Sequence, residues 1–363
     1  MNEFYFTKKL SEYFSATPNL NKLGFLPAGV TSFTISDARR LSARAVGNDV
    51  YSFLLKYQDG NLQQLRQLIF KAYGRSLDPI LRRYSANENL ERGLKEFQVL
   101  TSLNRVCYPV PRAFFYESGL NFFGSPFIIL EKVELTRDFS SSMDQFTRNL
   151  VWLHKLDKNT LSINTIKSPE GPLGFAKQCL LYLKTFLYFY PSHKTDLKKN
   201  FELSIRWLES NISSNSCTKY CLLHGDYRAR INTVMTKNSR MIVMDWEDAE
   251  IGDPAYDVAM AYTRARVDFG EKIADDFVYE YLRHFDENLA NRLYFYKLVA
   301  QLRLAISHSS VLSNPFRAYE IRGLKAFISF PFLSFPFVSK MTGIDLDITW
   351  IKSFEDFVKE NLR

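Results

Sequence analysis

The spacing of apolar residues changes near position 135, and the change predicts two kinds of structure along one chain. Upstream, apolar positions recur in short strand-like runs. VYSFLLKY (50–57) and RQLIFKAY (66–73) read as a pair of strands. The Asp59-Gly60 dipeptide between them marks a hairpin turn, because glycine supplies the positive φ that tight turns need. ENLERGLKEFQVLTSL (88–103) then places Leu90, Leu94, Phe97 and Leu100 at helical spacing, and PFIILEKV (126–133) is a further strand. Downstream the period lengthens to that of helices, over roughly 142–156, 175–190, 199–210, 257–288 and 290–310. A small β-rich patch at 220–248 interrupts them. The pattern predicts an α+β protein of two lobes. Residues 1–133 form a small β-rich N-terminal lobe, and residues 134–363 form a larger, mainly helical C-terminal lobe.

Composition narrows the class. The 363 residues are 46% hydrophobic and 24% charged, as in an ordinary globular protein with a sizeable core. The interior is expected to be aromatic-rich, with 31 Phe and 20 Tyr to place. The opening MNEFYFTKKLSEYF is mixed and amphipathic, so no signal peptide is expected, and no run reaches the ~18 apolar residues of a membrane span. Cys107, Cys179, Cys217 and Cys221 lack metal-ligand spacing and read as structural or incidental thiols of a cytoplasmic protein. The net charge of +8 arises before position 256, since the remainder holds 14 Lys+Arg against 14 Asp+Glu. Its basic runs are short and scattered, so nucleic acid is not an expected partner. ISFPFLSFPFVSK (328–340) reads as a Pro-broken apolar connector packed on the helical lobe. The pattern leaves the oligomeric state open.

Several polar residues stand where phosphoryl transfer would need them. That chemistry requires clamped phosphates, Mg²⁺ held by hard oxygen ligands, and a hydroxyl aimed in line. Lys71 lies inside the apolar strand LIFKAY, where a buried ammonium needs an anionic partner, and Glu96 on the following helix can supply one. Asp226 follows a strand that ends in His224-Gly225. Asn232 opens the next strand and Asp245 ends the one after it, a set of oxygen donors suited to Mg²⁺.

These segments resemble a known family. HGDYRARIN, VMDWEDAEIGDPAYDVAMAY, LKEFQVLTSL, YPVPRAFFYE and SPFIILEKVE are similar to the aminoglycoside phosphotransferase/choline kinase-like family, small-molecule relatives of the protein kinases. The resemblance runs from about residue 40 to residue 270. It implies a two-lobed protein-kinase-like fold and ATP- and Mg²⁺-dependent transfer of the γ-phosphate to a hydroxyl of a small-molecule metabolite. By the same resemblance Asp226 is the catalytic carboxylate that accepts or orients the hydroxyl proton, and Asn232 and Asp245 bind Mg²⁺. Lys71, paired with Glu96, contacts the α- and β-phosphates, while backbone between Glu131 and Val133 holds adenine. Asp257 braces the catalytic loop, the His224 ring pins its backbone, and Glu247 is a further metal or substrate ligand.

The chain departs from the family pattern twice. The phosphate loop near 42–53 has a single glycine, Gly47, so Gly47-Asn48 is expected to make the turn that points amides at phosphate. Asn232 follows Asp226 by six positions, one more than the family spacing. A loop absorbs an extra residue at modest cost, whereas a central strand would flip its faces. A working bulge within YRARI is therefore expected, with a catalytically silent nucleotide-binding protein of regulatory or scaffold role as the alternative. A protein kinase is not expected, because Asp245-Trp246-Glu247 stands where Asp-Phe-Gly would, and no Ala-Pro-Glu closes an activation segment. Aminoglycosides are polycations and would favour an acidic lobe, so the balanced charge argues against antibiotic resistance as the role.

Overall fold

The alternating N-terminal segments form one antiparallel sheet. Its strands are β1 (Phe33–Arg40), β2 (Asn48–Asp59), β3 (Leu62–Tyr73), β4 (Ala113–Glu117) and β5 (Phe127–Glu131), in the order β1-β2-β3-β5-β4. The computed structural model describes residues 2–27, 30, 32–41, 48–73, 86–136, 143–188, 195–285 and 289–313. Gly47 and the segment 328–340 lie outside them. The chain divides into two compact units, Met1–Glu134 and Leu135–Arg363.

In the first unit the β2–β3 register pairs Asp59 with Leu62, so the two-residue turn is Gly60-Asn61, one position later than the Asp-Gly signal suggests. Gly60 takes φ +60° there. The strand period of two sends Tyr51, Phe53 and Leu55 of β2 to the same face as Leu68 and Phe70 of β3. That face is covered by α1 (Glu3–Ser15) and α2 (Thr17–Asn21), which the sequence pattern did not single out. Phe6, Leu10, Tyr13 and Phe14 of α1 recur at helical spacing and are all buried. The Phe6 ring stacks on Tyr51 with centroids 4.1 Å apart, and the Tyr13 hydroxyl donates to Glu117 of β4, which Lys22 also reaches at 2.8 Å. Much of the aromatic excess is spent here. The connection from β3 to β4 carries α3 (Ala86–Arg105), which packs against β3 and β4.

The second unit is mainly helical, with α4 (Met143–Lys155), α5 (Gly174–Tyr188), α6 (Thr195–Asn211), α7 (Pro254–Phe269), α8 (Glu271–His284) and α9 (Ala290–Ser313). The expected helix over 257–288 is two helices, because Gly270 takes φ +93° and both ends α7 and begins α8. α7 is buried along its whole length from Pro254 to Thr263 and packs against α8 and α9. The β-rich patch resolves into two small sheets. β6 (Leu135–Thr136), β8 (Thr233–Thr236) and β9 (Met241–Val243) form one, while β7 (Cys221–Leu223) pairs with β10 (Glu250–Gly252) in the other. Among the described residues no helix is long and apolar enough to cross a membrane.

Phe6 links α1 to the sheet through a fully buried ring. Phe6→Ala is therefore expected to destabilise the first unit by about 3–5 kcal/mol, read as a lower denaturant midpoint in chemical unfolding. A change under about 1 kcal/mol would mean that α1 is an accessory to the sheet rather than part of its core.

Candidate active site

In the first unit the strand period places Lys71 and Tyr73 on the sheet face opposite Phe70, toward α3. Glu96 of α3 meets both side chains. Its Oε2 lies 2.7 Å from Lys71 Nζ and accepts a hydrogen bond from the Tyr73 hydroxyl at 2.7 Å. Lys71 and Glu96 are only 7% and 1% exposed, so neither charge would be tolerated there without the other. The arrangement fixes an ammonium at one place and limits its freedom to turn away. Asn48 is the first residue of β2, opposite Tyr73, rather than part of a turn. Glu131 closes β5 with its side chain accepting from the Arg112 amide at 3.3 Å, and Val133 follows it, half-buried.

In the second unit β7 leads directly into His224, Gly225 and Asp226. Gly225 has φ +83°, and a Cβ there would stand 2.3 Å from the carbonyl oxygen of Asp248, so only glycine fits the turn. Asp257, in the first turn of α7, is fully buried and receives the amides of His224 at 2.6 Å and Gly225 at 2.9 Å. His154 of α4 completes its surroundings, with Nε2 3.2 Å from Asp257 and Nδ1 2.7 Å from the Tyr281 hydroxyl. The His224 ring bridges two segments. Nε2 donates to the Met244 carbonyl at 2.9 Å, which leaves Nδ1 to accept from the Asp226 amide at 3.2 Å.

The segment between Asp226 and Asn232 has a definite conformation. Arg230 takes the left-handed conformation, φ +65°, and turns the chain back on itself. The carbonyl of Arg228 then receives the amides of Asn232 at 3.0 Å and Thr233 at 2.9 Å. Asn232 returns to the catalytic loop: Nδ2 donates to the Asp226 main-chain oxygen at 2.7 Å and to its carboxylate Oδ2 at 3.1 Å. Since both acceptors demand a donor, the orientation of the amide is fixed and its oxygen is the end left for another partner. The main-chain oxygen of Asn232 accepts from the Met244 amide at 2.7 Å, which brings Asp245 alongside.

Asp245, two residues beyond the end of β9, takes a left-handed conformation, φ 65° and ψ 64°, with an exposed side chain. The short 3-10 turn Trp246–Asp248 follows, anchored by the buried indole of Trp246 and carrying Glu247, half-buried. An amide oxygen on Asn232 and a carboxylate on Asp245 are hard donors of the kind Mg²⁺ takes, so this part of the chain fits that ion. The Asp226 carboxylate forms an ion pair with Arg264 of α7, Oδ1 to Nη2, at 2.7 Å. Burial works against its ionised form, but Arg264, with smaller contributions from His224 and Arg303, holds its carboxyl below the usual carboxylate range.

Tyr73, His154 and Arg264 went unnoticed in the sequence, although each left a periodic trace. Tyr73 stands two residues after Lys71 on one strand, His154 falls at i+4 and i+8 from buried Leu150 and Phe146, and Arg264 at i+7 from Asp257.

The left-handed turn gives a first test of the loop. Arg230→Gly removes about 1 kcal/mol of backbone strain and loses a comparable contact of the guanidinium with the Phe269 ring, 4.6 Å away, so stability should change little. Arg230→Val, β-branched at a positive φ, should cost about 2 kcal/mol in thermal or chemical unfolding. Equal behaviour of the two variants would rule out strain at this position.

Comparison with known proteins follows the same outline. The model of the phosphotransferase enzyme family matches residues 64–292, more than half of the chain and parts of both units. Acyl-CoA dehydrogenase family member 11 of Rattus norvegicus is 28% identical over 178 residues, which are 46% of this chain and 22% of that protein. The chain thus spans about a fifth of the length of the curated relatives it matches. A candidate aminoglycoside phosphotransferase of Ralstonia eutropha shares the fold with a TM-score of 0.62 at 14% identity, covering 95% of this chain and 97% of its own. A choline kinase of Streptococcus pneumoniae does so with a TM-score of 0.53 at 13% identity, covering 98% of each chain. The protein-kinase-like architecture is common to these neighbours. On the match of the family model, the chain belongs to the phosphotransferase enzyme family, the group of small-molecule kinases that includes the aminoglycoside phosphotransferases.

Proposed function

We propose that the protein transfers the γ-phosphate of ATP, with Mg²⁺, to a hydroxyl group of a small-molecule metabolite. The observation that carries this reading is the closure of the loop, in which Asn232 reaches Asp226 through two hydrogen bonds despite the inserted residue. A site abandoned by selection has no need of that convergence, or of the buried Lys71–Glu96 pair at 2.7 Å.

Each residue then has a role that follows from its chemistry. Lys71 supplies a fixed cation for the α- and β-phosphates, and Glu96 and Tyr73 keep it from folding back. The backbone from Glu131 to Val133 faces adenine, and Gly47 and Asn48, just before and at the start of β2, supply backbone amides to the phosphates. Asn232 and Asp245 hold Mg²⁺, with Glu247 as a further oxygen donor. That ion, when bound, neutralises charge on the phosphates. Asp226 accepts a hydrogen bond from the substrate hydroxyl and aims its oxygen at the phosphorus. Held in its ionised form by Arg264, it acts chiefly by orientation and receives the proton late. His224 and Asp257 keep the loop backbone in place. In this reading the unit Met1–Glu134 binds nucleotide and the unit that follows carries the catalytic loop and the acceptor. The balance of 14 Lys+Arg against 14 Asp+Glu from position 256 onward argues against an acceptor that is a polycation of the aminoglycoside kind.

Nucleotide binding can be tested without knowing the acceptor. ATP at 100 times its Kd stabilises by about 2.7 kcal/mol, which should raise the melting temperature by several degrees when Mg²⁺ is present. Asp245→Ala should abolish the Mg²⁺-dependent part of the shift; its persistence would remove Asp245 from the metal site. Once an acceptor is found by screening, Asp226→Asn should retain the nucleotide shift and lose at least about 100-fold in kcat. Nucleotide binding by a wild-type protein that phosphorylates nothing, with Asp226→Asn indistinguishable from it, would instead establish a silent, regulatory role.

A further inference from the structure

The catalytic loop is fastened to α7 well beyond Asp257. Arg264 lies 2.7 Å from Asp226, with side chains only 12% and 28% exposed. Arg228, two residues further along the loop, makes paired hydrogen bonds to Asp268 at 3.2 and 3.1 Å. The guanidinium of Arg230, the residue with positive φ, sits 4.6 Å over the ring of Phe269. Asp257, Arg264 and Asp268 follow one another at spacings of seven and four, which keeps them along one side of the helix. One rigid element therefore holds the loop at its start, its middle and its left-handed turn at Arg230.

The consequence is sharpest at Asp226. One carboxylate oxygen, Oδ1, lies in an ion pair with Arg264 without a hydrogen bond, and the other, Oδ2, accepts from Asn232 Nδ2 at 3.1 Å. A carboxylate held by charge at one oxygen and by a hydrogen bond at the other is restricted in rotation about its terminal bond, and that freedom is what an orienting group must give up. Misplacement by about 1 Å is enough to cost about 100-fold in rate. A loop with one residue too many would otherwise be a poor platform for such a group.

We propose that Arg264 is a positioning residue: from the third turn of α7 it locks the Asp226 carboxylate in the orientation that meets the acceptor hydroxyl, offsetting the slack of the lengthened loop. The role rests on the reading of Asp226 as the catalytic carboxylate. Arg264 touches neither phosphate nor acceptor in this scheme. It is also distinct from Lys71, the cation of the nucleotide side.

The test uses the full chain and Mg²⁺-ATP with water as the phosphoryl acceptor, so that no identified substrate is needed. Arg264→Met should lower kcat for hydrolysis by about 10- to 100-fold while leaving KM for ATP within about twofold. Arg264→Lys, which keeps the charge but not the planar fork, should recover part of the loss. An unchanged kcat in Arg264→Met, with only a lower melting temperature, would overturn the positioning role and leave Arg264 as a structural ion pair. Asp226→Asn run in parallel separates the two ideas, because an undiminished rate in that variant would sink the catalytic reading of Asp226 itself. Should wild-type hydrolysis be too slow to measure, Asp226→Ala, Arg264→Met and the double variant are compared by thermal unfolding. Coupling predicts that the double variant melts within about 1 °C of the less stable single variant, and simple additivity of the two shifts would overturn the proposal.

Discussion

Asp257 is a carboxylate with no exposure, set in the first turn of a helix that is itself buried on every side. Burying an ionised group is tolerable only where donors replace its water, and here they come from three separate pieces of chain: the amides of His224 and Gly225, the ring of His154, and the positive end of α7. Few arrangements satisfy all of them together. The turn after β7 must therefore sit over the start of α7, and Gly225 must take a conformation that leaves no room for a side chain. Everything that makes Asp226 useful is downstream of this constraint. Its amide is held by His224, whose ring is in turn held by Met244 at the end of β9. β9 delivers Asp245. The loop, the two short sheets and α7 form a closed circuit of hydrogen bonds in which no member can shift alone.

Beside the Ser239 turn that joins β8 to β9, φ 57°, the backbone within that circuit is strained at Arg230 and at Asp245, both at φ 65°. Each costs on the order of 1–2 kcal/mol, and they recur where the chain must aim a side chain rather than extend a sheet. At Arg230 the strain accompanies the turn that brings Asn232 back to Asp226. At Asp245 it leaves the carboxylate exposed at a strand end while Trp246 is buried beneath. Asp is among the residues that enter this conformation most readily, which reconciles a metal-type side chain with the geometry. Strain is retained because the surrounding hydrogen bonds over-determine the local conformation.

How much of this was legible in the sequence follows from which interactions are local. The strands β2, β3 and β5, the helix α3 and the helical character of the second unit all declare themselves by period, because burial on one face imprints a repeat of two or 3.6 residues. Gly270 did not declare itself, since a lone glycine costs a helix only about 1 kcal/mol and apolar residues continue on both sides of it. The hairpin turn moved by one residue because cross-strand register, not the Asp-Gly pair, sets which residues close it. At the site, the order Lys, Glu, Asp, Asn, Asp pointed to residues that the fold does pair locally, Lys71 with Glu96 and Asp226 with Asn232. The third partners were hidden. Tyr73, His154 and Arg264 have ordinary periodic positions, and only tertiary packing selects the carboxylate that each one meets.

The Lys71–Glu96 pair is the part of the structure that stability explains least. Two charges of at most 7% exposure forfeit most of their hydration, and pairing at 2.7 Å does little more than recover it. A well-packed apolar pair of similar volume would be at least as stable in such a place. The Tyr73 hydroxyl on the same Glu96 oxygen adds a second donor where one would satisfy the fold, and so orders the carboxylate further. A chain that spends burial on an ammonium, fixes its partner twice and aims it from a central strand gains placement rather than stability. That economy is intelligible if the ammonium's purpose is an anion supplied from outside the chain, since a cation already freed of most of its water and held in one orientation binds phosphate oxygen with little further cost of reorganisation.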